Sequence, residues 1–194
     1  MNLRQLIPVA IMFSVAAFAQ NPVSADSPFQ VKYAANLNLG DSVFNISNSG
    51  ASGGNICVSV YTFSPDEQEI SCCSCTVTPN ALVSLSAKSD LISNTLTPAV
   101  PNSIVVKLVS TSGGACNASV QGTAATGLLA WGTTLHATPV AGAFAVTETA
   151  FTPATLGTAE YTRITALCGF IQSNGSGFGI CRSCRLGGQG AAKL

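Results

Sequence analysis

All eight cysteines of this 194-residue chain, Cys57, Cys72, Cys73, Cys75, Cys116, Cys168, Cys181 and Cys184, follow a segment built like an export signal. Met1 to Gln5 carry Arg4, and the apolar run from Leu6 to Phe18 holds no charge. Ala17-Phe18-Ala19 then puts small side chains at the two positions that a signal peptidase must accept, so cleavage is expected near Ala19, with Gln20 as the first mature residue. The run is 13 residues long and contains Pro8, well short of the roughly 20 apolar residues of a membrane span. An even number of cysteines in an exported chain reads as a disulfide framework. The expected product is therefore a secreted, periplasmic or cell-surface protein whose fold is cross-linked and has no stable membrane span after cleavage.

Composition agrees with such a framework. Charged residues make up 8% of the chain, against about 25% in an average soluble protein, while Ser and Thr together number 40. A surface so poor in charge is solvated by hydroxyls, amides and backbone. Net charge is zero and the basic residues are scattered, which argues against nucleic acid because a polyanion is steered by a clustered positive field. Weak charge repulsion favours self-association. Other partners left open are an extracellular protein and a glycan surface.

Short β-branched runs recur at Phe29 to Asn38, Ser42 to Ser47, Ile56 to Phe63, Glu69 to Cys75, Ala81 to Ser86, Ser103 to Ser110, Leu128 to His136 and Phe144 to Thr149. Gly, Pro, Asn and Asp separate them. This spacing predicts an antiparallel β-sandwich, Ig-like or jelly-roll-like, over 29–150, after a leader at 1–19 and a flexible segment at 20–28. In Ile56 to Phe63 the residues Ile56, Val58 and Val60 alternate with Cys57, Ser59 and Tyr61, so the two sets project from opposite faces. A hairpin through Ser64-Pro65-Asp66 that sets Val60 opposite Ile70 puts Cys57 opposite Cys73, which makes Cys57–Cys73 the expected bridge. Cys73 and Cys75 share a face, and Cys72 points away.

The period changes in the last part, 151–194. Ile164, Leu167, Cys168 and Ile171 form one helical stripe. Thr152-Pro153 offers a start and Asn174-Gly175 a stop, so a helix is expected from about Pro153 to Ser173. Gly157 and Gly169 weaken it, each by up to about 1 kcal/mol. Cys181 or Cys184, returning after Gly175-Ser176-Gly177, is expected to bridge to Cys168 and staple the tail on the helix. The ending Gly187-Gly188-Gln189-Gly190 is expected to be loose.

Chemistry-bearing motifs are weak. Cys181-Arg-Ser-Cys184 has the spacing of a redox dithiol, a zinc half-site or a c-type haem attachment, but Arg185 stands where haem attachment needs His. A reactive dithiol precedes a helix, whereas this pair follows one. Cys72, Cys75, Cys181 and Cys184 would make a four-thiolate zinc set only across 105 intervening residues, and oxidation competes for the thiols. No metal or cofactor is therefore expected. The one histidine, His136, would have to serve as base in any Ser/His/Asp relay, with Asp41, Asp66 or Asp90 behind it; no G-x-S-x-G elbow occurs. Carboxylate pairs for glycoside hydrolysis must come from Asp66, Glu67, Glu69, Asp90, Glu148 and Glu160. Asp66, Glu67 and Glu69 cluster at a turn, where solvated charge is the usual reason. Trp131 with Tyr33, Tyr61 and Tyr161 would suit a sugar-stacking platform, although the run Leu128-Leu129-Ala130 argues that Trp131 packs in the core.

Cys72-Cys-Ser-Cys75 with Thr78-Pro-Asn80, and Leu167-Cys-Gly-Phe-Ile-Gln-Ser-Asn-Gly-Ser-Gly177 leading to Gly179-Ile-Cys-Arg-Ser-Cys184, resemble a group of secreted soil-bacterial proteins with no assigned activity. The resemblance covers most of the mature chain. It implies export and a cysteine-bearing C-terminal tail, and it carries no catalytic residue.

The expected molecule is thus a mainly β antiparallel sandwich with one C-terminal helix and a disulfide-stapled tail. Its expected role is noncatalytic: an extracellular or cell-surface structural, adhesive or binding module. A secreted hydrolase using His136 or a carboxylate pair is the second reading, and an envelope metal or thiol-redox protein the third.

Overall fold

The computed structural model describes residues 27–182. The expected leader with its expected cleavage point, the glycine-rich ending and Cys184 lie outside them. Ten strands and one α-helix follow in order: β1 (Phe29–Ala34), β2 (Val43–Asn48), β3 (Ile56–Phe63), β4 (Glu69–Val77), β5 (Leu82–Ser86), β6 (Ile104–Ser112), β7 (Thr123–Ala124), β8 (Leu128–Ala137), β9 (Phe144–Ala150), β10 (Thr152–Pro153) and α1 (Thr158–Ser173). Sheet A has the order β10-β1-β6-β3-β4 with β7 paired to β6, and sheet B the order β5-β2-β8-β9. Every strand pairing is antiparallel. The fold is a mainly β sandwich with a C-terminal helix, as the strand-sized runs and their turn residues predict.

The two sheets differ in how they are covered, and the sequence carries the difference. In β2, Phe44, Ile46 and Asn48 are buried while the intervening residues are half-buried, the alternation of a strand with one covered face. In β3 every residue but Cys57 is buried, because sheet A is covered twice. One core lies between the sheets and includes Phe44, Ile46, Val58, Val60, Leu85 and Leu108. A second lies on the outer face of sheet A, where Phe29, Tyr61, Phe63 and Cys72 meet Ile164, Cys168 and Ile171 of α1. The layers run sheet B, sheet A, helix.

The helical stripe read from the sequence is the buried face of α1, with Leu167 at its margin. Its start differs from the expectation. Thr152-Pro153 is not a helix start but the short strand β10, paired to Gln30 and Val31 of β1. The helix begins five residues later, with Gly157 as N-cap and no side-chain cap. Gln30 and Val31 present open ladder positions that an isolated capping motif cannot compete with, and the chain crosses from β9 to β10 at Phe151, whose ring meets Phe44 edge-on at 5.7 Å. At the far end Asn174 caps α1 and Gly175 turns away with φ 71°, as expected. β1 stops at Ala34, short of Asn38, because Asn36 adopts φ 58°. A π-helical turn, Ala87–Leu91, follows β5, where the sequence pattern marks no element.

The β3–β4 register also departs from the expectation. Val60 lies opposite Cys73, and Cys57 opposite Thr76. The pairing shifts between Thr62 and Phe63, which face Ser71 and Glu69, so Ile70 is an extra residue in β4. Such a bulge lets Ile70 and Cys73, three apart, both enter the inter-sheet core, whereas strict alternation would separate them. The face assignment itself holds: Cys73 and Cys75 join that core, and Cys72 joins the one under α1.

Candidate functional site

β4 is the strand to which the rest of the molecule is tied. Cys72 and Cys73 are adjacent and therefore point to opposite faces. Cys72 bridges to Cys168 of α1, with Cα atoms 5.8 Å apart. Cys73 bridges to Cys181 of the tail at 5.3 Å. Cys57, at the start of β3, bridges to Cys116 in the β6–β7 connection at 5.2 Å. Cys75 is also disulfide-bonded. These pairings overturn Cys57–Cys73, because the turn closed by Ser64 and Gln68 moves the register by two residues and the bulge by one more, which sets Cys57 opposite Thr76. They likewise overturn a bridge from Cys168 to the tail, because β4 stands nearer to both. With Cys72, Cys75 and Cys181 already in disulfides, the four-thiolate zinc set is overturned too. The Cys181 thiol of the C-x2-C pair is bonded to Cys73, and Cys184 lies outside the described residues.

The tail covers the edge that β4 would otherwise leave open. Cys72 N–H donates to the Gly179 carbonyl (2.8 Å), and Cys181 N–H donates to the Cys72 carbonyl (3.1 Å). Ile180 pairs with Cys72 in parallel. Gly179 is required there: it has φ 80°, and a Cβ would come within 2.8 Å of Ile171 on α1.

Beneath α1 lies one ionisable group that the sequence misassigned. Asp66 and Glu67 sit exposed in the β3–β4 turn, but Glu69 is only 5% exposed. The turn closes before it, so Glu69 opens β4 and is enclosed there. Neither carboxyl oxygen has a hydrogen-bond partner. Burial pushes its pKa up to about 8, with Lys107 and Arg163 pulling the other way. Lys107 itself is engaged by Glu160 at 2.6 Å and lies 4.5 Å over the Phe63 ring. Glu69, Cys72 and Cys168 bring three potential ligand atoms within 4.8 Å, but the two sulfurs form one disulfide and offer no thiolate. Nearby Tyr61, its pKa raised by burial, donates its hydroxyl to the Ala118 carbonyl at 2.7 Å.

The candidate hydrolytic groups are held by separate partners. His136 Nε2 is 2.8 Å from Thr147 Oγ1. Asp41 accepts from the Ser86 hydroxyl and from Lys88 N–H. Asp90 accepts from Ser86 N–H at 2.7 Å, so both aspartates secure the π-helical turn. Asp66 accepts from Ser64 and Gln68 within its own turn. Glu160 pairs with Lys107 and Glu148 with Asn45.

Trp131 does not pack in the core. Its neighbour Ala130 points inward while the indole, 38% exposed, stands on the outer face of sheet B. The register sets Trp131 between Asn45 of β2 and Ala150 of β9, with Ser84 of β5 beyond Asn45. The Ser84 hydroxyl donates to Asn45 Oδ1 at 2.6 Å, and Asn45 Nδ2 donates to Glu148 Oε1 at 3.1 Å. A cleft of about 150 Å³ adjoins the indole, walled by Leu129, Ala150, Phe151 and Pro153. Tyr33, Tyr61 and Tyr161 belong to sheet A and the helical layer, so the four-ring platform does not form. A second cleft, of about 260 Å³, opens beside β7 between Phe29, Val109, Thr111 and Tyr161. Among the described residues no helix is long and apolar enough to cross a membrane. Comparison with protein-family models, curated proteins and solved structures finds no match.

Proposed function

We propose that this chain is a noncatalytic extracellular module, stabilised by disulfides, that binds through the outer face of sheet B. The observation that carries this reading is the unequal covering of the sandwich. Sheet A is largely covered by α1, by the tail and by the β6–β7 connection, each joined to it by a disulfide. Among the described residues sheet B has no such layer, and its outer side presents Trp131 among Asn45, Thr133 and Glu148, with Leu82 and Val146 toward its two edges. A rigid body with one open face suits attachment better than turnover, and the leader-like start supports work outside the cell.

Production from the native gene with its own leader provides the test. The mature protein is expected outside the cytoplasm, shortened near Ala19, without titratable thiols, and adsorbing to envelopes of the producing cells. Thr133→Lys together with Ser47→Lys, both on the open face, is expected to lower that adsorption at least tenfold. Retention inside the cell with reduced thiols, or adsorption unchanged by the double variant, would overturn the reading.

A further inference from the structure

We infer that the open face of sheet B is a site for a neutral polysaccharide, stacked on Trp131 and hydrogen-bonded along the row Ser84, Asn45 and Glu148. The inference rests on the binding-module reading and names its ligand class. A pyranose ring has an apolar C–H face and a rim of hydroxyls, and it needs an exposed flat ring bordered by fixed donors and acceptors. Trp131 supplies the ring. Ala150, opposite it on β9, is too small to cover the outer flank of the indole.

The rim is supplied by groups already held in place. Ser84 Oγ to Asn45 Oδ1 at 2.6 Å and Asn45 Nδ2 to Glu148 Oε1 at 3.1 Å orient the amide and the carboxylate before any ligand arrives. Each group keeps spare capacity: the second amide N–H of Asn45, the second oxygen of Glu148, and the lone pairs of Ser84. Thr133 Oγ1 accepts from Val43 N–H at 2.8 Å and retains a proton to donate. Neighbouring strands lie about 4.8 Å apart, close to the width of a sugar ring, so successive units of an extended chain fall on successive strands. The cleft between Leu129 and Pro153 prolongs this line past the indole.

Charge and apolar area select the ligand class. Glu148 is the only charged side chain in the row and disfavours uronates or phosphates. Among the described residues Lys32 is the cation whose charge reaches Glu148, and its ammonium is directed to the Thr149 carbonyl (3.3 Å) and hydroxyl. A protein partner would call for a contiguous apolar centre, whereas Asn45 borders this indole on the β2 side and Glu148, two residues along β9 from Ala150, reaches Asn45 across β8.

Trp131 is the only tryptophan, so emission from the intact, disulfide-bonded mature protein reports on this site alone. Titrations use hexasaccharides of β-1,4-glucan, β-1,3-glucan, α-1,4-glucan and chitin, with oligogalacturonate as the anionic control, beside co-sedimentation with the insoluble polymers. The expected result is a saturable blue shift with at least one neutral glycan and none with oligogalacturonate. Asn45→Ala is expected to weaken binding at least fivefold. Trp131→Ala should reduce co-sedimentation at least tenfold and Trp131→Phe less, with circular dichroism unchanged. If no neutral glycan shifts the emission or carries the protein down, or if Trp131→Ala binds as well as the parent, the inference is overturned. Adsorption to envelopes that depends on Trp131 and disappears after protease treatment would replace the glycan with a protein partner and leave the binding-module reading standing. Loss of both glycan and envelope binding would remove both.

Discussion

Glu69 is the residue whose environment departs furthest from what its neighbours in sequence suggest. Asp66 and Glu67 are solvated turn residues, and two positions later a carboxyl is enclosed beneath α1 with no hydrogen-bond partner. Its folded pKa, raised by burial to about 8 from 4.5, means the folded state holds this proton more tightly than the unfolded state does. Between these two values the folded chain binds the extra proton, so stability falls as pH rises through that window and levels off above about pH 8. The penalty at alkaline pH is on the order of 5 kcal/mol. Urea unfolding at pH 5 and pH 9 is expected to show the parent markedly weaker at pH 9. Glu69→Gln should lose most of that difference, and Glu69→Met, which buries no unpaired polar atom, should gain about 1–3 kcal/mol at neutral pH. Equal pH dependence in parent and Glu69→Gln would show that the carboxyl is not enclosed as described.

At the scale of single elements, α1 is short of intrinsic helix stability and is held by its surroundings. It has no side-chain N-cap, and it carries Gly169 in its interior. A Cβ at Gly169 would meet only Ser119, at 3.7 Å, an ordinary contact. Gly169→Ala is therefore expected to raise stability by about 0.5–1 kcal/mol in denaturant titrations. The Cys72–Cys168 bridge, with a sequence separation of 96, closes a long loop in the unfolded chain. Replacing both residues by Ala is expected to cost about 2–4 kcal/mol and to raise hydrogen exchange in α1 ahead of sheet B. The helix stripe, its stop and all eight longer strands are legible in the sequence because each rests on local periodicity and turn residues. The start of α1 is not, because Thr152 and Pro153 satisfy β1, a partner more than a hundred residues earlier in the chain.

At the scale of the whole molecule, cross-links and open surface are divided between the two sides of the sandwich. β4 anchors the helix on one face and the tail on the other through two consecutive cysteines, and the tail also covers the sheet edge at Cys72. Peptide mapping of protein purified without reductant is expected to find Cys57–Cys116, Cys72–Cys168 and Cys73–Cys181. Recovery of Cys57–Cys73, or of Cys168 joined to Cys181, would contradict the bulged β4 register and the position of the tail.

The sequence by itself determined the class of fold, the two faces of β3, the opposite directions of Cys72 and Cys73, and the buried side of α1. Each of these follows from the two-residue and 3.6-residue repeats of backbone geometry acting within one element. Tertiary structure decided which cysteines meet, that Glu69 is enclosed, and that Trp131 is on a surface. Those outcomes depend on a one-residue bulge at Ile70 and on which sheet receives the helix, and both arise from packing between segments far apart in the chain. A short apolar run such as Leu128-Leu129-Ala130-Trp131 cannot encode whether its second face will be covered, because that is set by an element folded elsewhere.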